Sequence, residues 1–368
     1  IWADEINFPV QINKYSVSPD DYKKLLSALK DDLKTIEYNE RFLDALSSVL
    51  EKHLSFVPAT TSLNELRDIS LYDHSKITAA ISACIYEYLS DHGITDFRQE
   101  IFENIESFRK KKAFIMYSGD FSGIQGFIYN VVADGALKSL RSRSFFLEML
   151  QEHIIDEILS ACGLSRANLI YNGGGNCYIL LPNTQAVEDK INAIGKTVNK
   201  WLRTNFGIQI FYAWAYVKCS ANDLMNIPAE ERPYEEIYRE IYRGLSKMKF
   251  SSYTAEELME LNRPRQNEGY RECGICGTEA NLSRENRCLW CERFVNISSA
   301  LLNKDLFITV SDKFIADYPY LTFPVESGEV YYYLIDETGS RKMLEEGLAK
   351  RIYTKNRLYY GLPYCKRL

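Results

Sequence analysis

The chain has 368 residues, 46% of them hydrophobic and 26% charged, and a formal net charge of -6. That length allows two or three domains with a sizeable core, and the acidic balance excludes a polycation that grips nucleic acid by bulk charge, so any such contact needs a local basic patch. No run of about 18 uncharged apolar residues spans a membrane as a helix, and no basic–apolar–small signal segment is read at the start.

Residues 1–110 are expected to be mostly helical. Ser18 and Pro19 open a helix with acids in its first turn. Phe42, Leu43, Leu46, Val49, Leu50 and Leu54 recur at helical spacing. The segment from Asp73 to Gly93 reads as a long buried helix. The basic run 109–112 is the expected boundary.

From 113 to about 219 the pattern changes. "AFIMYSG" reads as a strand ending near Asp120. "SGIQGFIYNVV" reads as a short helix capped by Ser122. Leu140, Leu147, Ile154 and Ile158 stripe a longer helix. "NLIYNGGGNCYILLP" reads as a hairpin around glycines. Thr184 caps an amphipathic helix, and "IQIFYAWAYVKC" is a further strand. Strand, helix, strand, strand, helix, strand is the ferredoxin-like order. Residues 229–262 are helical and charged, and 263–272 form a polar loop. In the remainder, "EVYYYLID" and "RIYTKNRLYY" read as strands. The fold class is therefore α+β.

Nine cysteines are present. Cys84, Cys162, Cys177 and Cys219 lie in apolar runs and read as reduced core residues, which favours a reducing, cytoplasmic setting. Cys273, Cys276, Cys288 and Cys291 have the spacing Cys-x2-Cys-x11-Cys-x2-Cys. Two such knuckles close a tetrahedron of thiolates around zinc and leave no open position, so the site is structural. Gly274 and Gly277 are expected to permit the tight turn.

Other motifs carry a functional and a plain reading side by side. Asp120 stands where a palm-type nucleotidyltransferase holds metal, and Ser122 and Gly123 open a helix whose free N–H groups can receive phosphate; both can equally be helix-capping residues. The turn Gly173, Gly174, Gly175, Asn176 lets backbone approach a nucleotide closely, but carries no acid for Mg²⁺. Lys138 and Arg141, three apart, share a helix face that either meets phosphates or is simply solvated. Asp73 and His74 read as a helix-start pair rather than a metal site. With four histidines, at 53, 74, 92 and 153, no two-metal phosphohydrolase site can be assembled.

Taken in order, "SLYDHSKITAAI", "YSGDFSGIQGFIYN", "GALKSLRSRSFFLEML", "NGGGNCYILLP" and "ECGIC…CLWC" resemble the large subunit of type III CRISPR effector complexes, most closely the III-A (Csm) branch, over roughly residues 65–300. The resemblance implies a helical remainder of an HD-type nuclease domain at 1–110, a first palm at 111–262, a zinc subdomain at 263–302, and a mixed connector at 303–368 leading toward a second palm. It implies a complex that senses target RNA, joins ATP into cyclic oligoadenylate with Mg²⁺ or Mn²⁺, and cleaves single-stranded DNA. Expected partners are the other Csm subunits, crRNA, target RNA and ATP. The His-Asp motif and the Gly-Gly-Asp-Asp turn of that family are absent here, so the chain is expected to be a piece of the large subunit, with no catalytic residue assigned. Two readings stay open: half of an ATP site made of Asp120, Ser122, Gly123, Lys138, Arg141, Gly174, Gly175 and Asn176, or a scaffold with a relict palm.

Overall fold

The computed structural model describes residues 18–38, 42–62, 64, 66–130, 136–263, 269–355, 361–362 and 365–367. Part of the expected 263–272 loop and the second half of "RIYTKNRLYY" lie outside the described residues. By packing, the chain forms two units. One gathers the described residues up to Thr78 with 300–322 and those from 330 on; the other holds 79–299 with 323–329.

In the first unit, α1 (Pro19–Leu33) begins as its sequence dictates. The Ser18 hydroxyl accepts from the Asp21 N–H and the Asp21 carboxylate accepts from the Ser18 N–H, with Pro19 at the first helical position. Helix α2 (Phe42–Leu54) buries Ala45, Ser48, Val49 and His53. His53 Nε2 lies 2.7 Å from Asp32 Oδ2 and ties α2 to α1. Helix α3 (Leu71–Asp91), whose residues from Ala79 on belong to the second unit, starts with the Ser70 hydroxyl accepting from the Asp73 N–H at 2.9 Å and donating to the Asp73 carboxylate at 2.7 Å. Asp73 is thus a capping residue, and His74 is exposed.

After the single turn α4 (Ile105–Phe108), the second unit builds its sheet from β1 (Phe114–Ser122), β2 (Leu169–Gly173), β3 (Asn176–Pro182) and β4 (Phe211–Cys219). Helices α5 (Ile124–Tyr129) and α6 (Ala136–Ala161) separate β1 from β2, and α7 (Gln185–Phe206), capped by Thr184, separates β3 from β4. The strand order is β2-β3-β1-β4 with antiparallel neighbours, the ferredoxin-like arrangement. Burial explains the order: β1 is central and buried along Phe114, Ile115, Met116 and Tyr117. Alternate residues serve opposite faces. Phe114 and Met116 join Cys84 and Leu89 of α3 in one apolar cluster. To it α9 (Pro233–Phe250), which follows the single turn α8 (Ala221–Leu224), adds Ile237, Ile241 and Leu245. Tyr117 is fully buried and meets the Tyr212 hydroxyl of β4 at 2.9 Å.

The cysteines at 84, 162, 177 and 219 are buried and free. Burial pushes these thiols up, to about 11 for Cys162 and about 12 for Cys177 and Cys219, so they stay protonated and inert.

A Cβ on Gly119 would stand 1.8 Å from the Tyr212 hydroxyl and 2.5 Å from its ring. The ring is buried and has nowhere to retreat. Gly119→Ala is therefore expected to destabilise the protein by about 1–3 kcal/mol through overpacking, read as a lowered denaturant midpoint. An unchanged midpoint would show that the Tyr117–Tyr212 pair is not a fixed part of the core.

Helix α10 (Ala255–Leu261) precedes a small hairpin of β5 (Arg271–Glu272) and β6 (Glu279–Ala280), then α11 (Leu289–Ala300). Strands β7 (Phe307–Ser311), β8 (Tyr320–Val325), β9 (Gly328–Ile335), β10 (Arg351–Thr354) and β11 (Cys365–Arg367) form a second sheet in the order β11-β10-β7-β9-β8. Helix α12 (Glu337–Glu345) sits between β9 and β10 in the chain, and its Met343 shares a buried cluster with Phe307, Tyr333 and Ile352. The expected strands at "EVYYYLID" and the start of "RIYT" are β9 and β10. No helix among the described residues is long and apolar enough to cross a membrane.

Candidate metal centre and nucleotide turn

The two Cys-x2-Cys segments meet. The Sγ atoms of Cys273, Cys276, Cys288 and Cys291 all lie within 4.8 Å of one another, and Cys276 and Cys288 are 3.7 Å apart. A zinc tetrahedron with Zn–S near 2.3 Å has edges of about 3.8 Å, so the donor set fits a four-thiolate metal. A disulfide needs sulfurs near 2.05 Å, and these four cysteines are free.

Local backbone explains the convergence. The Cys273 N–H donates to the Thr278 carbonyl at 3.0 Å and the Gly277 N–H to the Cys273 carbonyl at 2.9 Å, which closes the first knuckle. Gly277 has φ +69°, in the left-handed region that favours glycine. Gly274 is not needed in the same way: it has no left-handed φ, and an added Cβ would make only ordinary contact at 3.4 Å. Cys288 precedes α11 and Cys291 lies in its first turn.

Main-chain N–H groups of Ile275 and Cys288 point at Cys273 Sγ (3.5 and 3.3 Å), and that of Cys291 points at Cys288 Sγ (3.5 Å). Such donors favour anionic sulfur. Donation from the Cys288 and Cys291 thiols pulls Cys276 well below the usual thiol range.

The centre is seated against the palm helices by aromatic side chains. Trp290 and Phe294 of α11 lie 5.4 and 5.5 Å from Phe146 of α6, and Trp290 lies 4.8 Å from Phe206 of α7. The Trp290 Nε1–H donates to Asn205 Oδ1 at 3.1 Å, and Ser142 donates to the Phe294 carbonyl at 2.6 Å.

At one end of the first sheet, Asp120 of β1 pairs in register with Asn176 of β3, and the Phe121 N–H donates to the Gly175 carbonyl at 3.2 Å. The structure thus brings Asp120, Gly174, Gly175 and Asn176 together. Gly174 and Gly175 have φ +63° and +84°, and a Cβ on Gly175 would lie 2.6 Å from Ile124 Cδ1 of α5. Asn176 Oδ1 accepts from Ser118 at 3.0 Å.

Ser122 is not the cap of α5. Strand pairing with Phe211 runs through it, and Gly123 takes the N-cap with φ +91° and no side-chain bond. A Cβ there would sit 2.2 Å from the Gln209 carbonyl oxygen, so the chain needs glycine at this bend. Lys138 and Arg141 are exposed on the first turns of α6 and make no ion pair among the described residues.

Two participants carry little or no signal in local sequence. Lys249, in the last turn of α9, forms an ion pair with Asp120. Arg143, two residues beyond Arg141, is buried and reaches Cys291 Sγ. The burial of Arg143 on the apolar stripe of α6 is the one clue periodicity offers.

Comparison with known proteins follows from these features. Residues 113–264 match the sequence family described as Csm1 subunit domain B. The chain is similar to the CRISPR system single-strand-specific deoxyribonuclease Cas10/Csm1 (subtype III-A) of Mycobacterium tuberculosis, 37% identical over 370 residues, which covers 97% of this chain and 45% of that protein. Among solved structures it is similar to a Csm1-Csm4 cassette in complex with one ATP (26% identity, TM-score 0.67, 96% of this chain and 42% of that one). It is also similar to a Csm1-Csm4 cassette in complex with cA3 (25% identity, TM-score 0.64, 96% and 41%). The chain spans a little under half the length of these relatives.

Proposed function

The chain belongs to the Cas10/Csm1 family of type III-A CRISPR large subunits, and from that premise we propose that it supplies one half of an ATP site together with a structural zinc centre. The observation that carries the proposal is the register of Asp120 against Asn176, which sets a three-glycine turn beside the start of α5. Main chain without side chains at Gly174 and Gly175 leaves room for a triphosphate to approach. Lys138, Arg141, Ser122 and Gly123 are the further groups assigned to this half-site.

In the whole protein, binding of target RNA triggers conversion of ATP to cyclic oligoadenylate, with Mg²⁺ or Mn²⁺ held chiefly by a second palm. An HD-type domain, of which 1–110 is the helical remainder, cleaves single-stranded DNA. The first palm is 111–262, the zinc subdomain 263–302 and the connector 303–368. The partners are Csm4 and the other Csm subunits, crRNA, target RNA and ATP, in the cytoplasm. Zinc is the ion assigned to the four cysteines because four thiolates with no open position suit it.

A second reading is a non-catalytic scaffold for the Csm subunits and crRNA. One observation favours it: Asp120 is already neutralised by Lys249. Equilibrium dialysis of labelled ATP against the 368-residue chain separates the two. Gly174→Val forces a β-branched residue into φ +63°, a strain of about 1–3 kcal/mol, and crowds the backbone approach. ATP affinity is expected to fall about tenfold or more, while Gly174→Asn, tolerated at this φ, loses less. An affinity unchanged in Gly174→Val decides for the scaffold.

A further inference from the structure

Arg143 is 3% exposed on α6, and no carboxylate among the described residues pairs with it. Its Nη1 donates to the Phe127 carbonyl at 2.6 Å, its Nε to Ser139 Oγ at 3.3 Å and its Nη2 to Cys291 Sγ at 3.8 Å. The guanidinium carbon lies 5.2 Å from the Phe127 ring and 5.5 Å from the Phe294 ring. A buried cation in such a site needs a counter-charge. Aromatic faces supply only part of it. Four thiolates around one divalent ion carry a net charge of two minus, and that anion is itself partly buried. Each is the other's missing counter-ion.

We infer that Arg143 is the positioning residue of the metal centre: it balances the tetrathiolate through Cys291 and fixes the same centre to α5 through the Phe127 carbonyl. The inference rests on the metal reading above. Arginine is required because three acceptors in different directions, with rings nearby, suit a planar fork and not an ammonium. The link also gives the metal a route to the nucleotide turn, since α5 begins directly after Gly123 and its Ile124 abuts Gly175.

The test uses the full 368-residue chain loaded with zinc and competed with a chromophoric chelator, and the same chain loaded with cobalt(II). Arg143→Met is expected to weaken zinc binding about 10–100-fold, the usual effect of losing an outer-shell partner. Arg143→Lys keeps the charge but cannot serve Cys291 and Phe127 together, and is expected to lose about tenfold. In the cobalt form, loss of the N–H donor to Cys291 raises the energy of the sulfur lone pair, so the thiolate-to-cobalt band shifts to the red. Lys196→Met, on the exposed face of α7, leaves both readouts unchanged. Where Arg143→Met fails to fold, Arg143→Lys decides. A wild-type chain that binds no zinc removes the metal reading and the inference with it. Tight zinc binding in the wild type with equal affinity and an unmoved cobalt band in the folded Arg143 variant overturns the inference alone.

Discussion

Cys276→Ser is expected to release the metal and unfold the 270–291 region, with a fall in the melting temperature of the whole second unit. Structural zinc contributes about 10–16 kcal/mol in small peptides, as much as or more than the stability of a typical domain. The hairpin of β5 and β6 is only two residues per strand, so it has too little core to persist without the ion. Loss of one ligand also leaves three sulfurs crowded within 4.8 Å with no cation between them. The damage spreads because Trp290 and Phe294, on the helix that Cys291 anchors, are packed against Phe146 and Phe206 of the palm helices. Elemental analysis is expected to give one zinc per wild-type chain and none in the variant. Chelator is expected to lower the wild-type melt toward that of Cys276→Ser. A chain that holds no zinc, and melts identically with and without chelator, rules the metal centre out.

The parts of this structure that were legible in the sequence are those written locally. The Ser18 and Thr184 caps, the hairpin around Gly173–Gly175 and the strand-helix order of the palm all follow from spacing, turn chemistry and period. The four cysteines follow from the knuckle spacing. What was not legible depends on residues far apart in the chain. Asp120 and Lys249 are 129 positions apart, and no local pattern marks Lys249 among the basic residues that close α9. In "LKSLRSRS" the charges at 138 and 141 read equally as phosphate ligands or a solvated face, yet the buried cation is Arg143. Part of what makes its burial tolerable comes from the rings of Phe127 and Phe294, the latter from a segment 151 positions on. Ser122 reads as a cap by composition, but the strand pairing to Phe211 claims it first, and the bend passes to Gly123. The second sheet was visible only as two strands because β9 and β10 do not pair with each other; each pairs with β7, which lies between them.

The chain by itself is expected to yield no oligoadenylate from ATP. Phosphoryl transfer between two ATP molecules needs metal ions that activate the attacking 3′-oxygen and steady the leaving pyrophosphate. Those ions need several carboxylates converging at the tip of a palm. Among the described residues, the tip offers Asp120 alone. The residue opposite it in register is Asn176, whose amide oxygen is already engaged by Ser118. Asp120 in turn holds Lys249, so an ammonium stands on the one carboxylate that would take Mg²⁺. Displacing it would cost an ion pair that is mostly shielded from water, with the two side chains 31% and 23% exposed. A lone carboxylate with water ligands returns little for that cost, and among the described residues no second metal site is built beside it. On the half-site reading proposed above, the glycine turn would position a nucleotide for chemistry that carboxylates elsewhere must perform. The measurement is incubation of the 368-residue chain with labelled ATP and Mg²⁺ or Mn²⁺, with products resolved chromatographically. Only unreacted ATP is expected, in the wild type and in Lys249→Ala alike, since freeing Asp120 still leaves one carboxylate. Oligoadenylate made by the wild type and abolished by Asp120→Asn would show that this palm is itself a catalytic one.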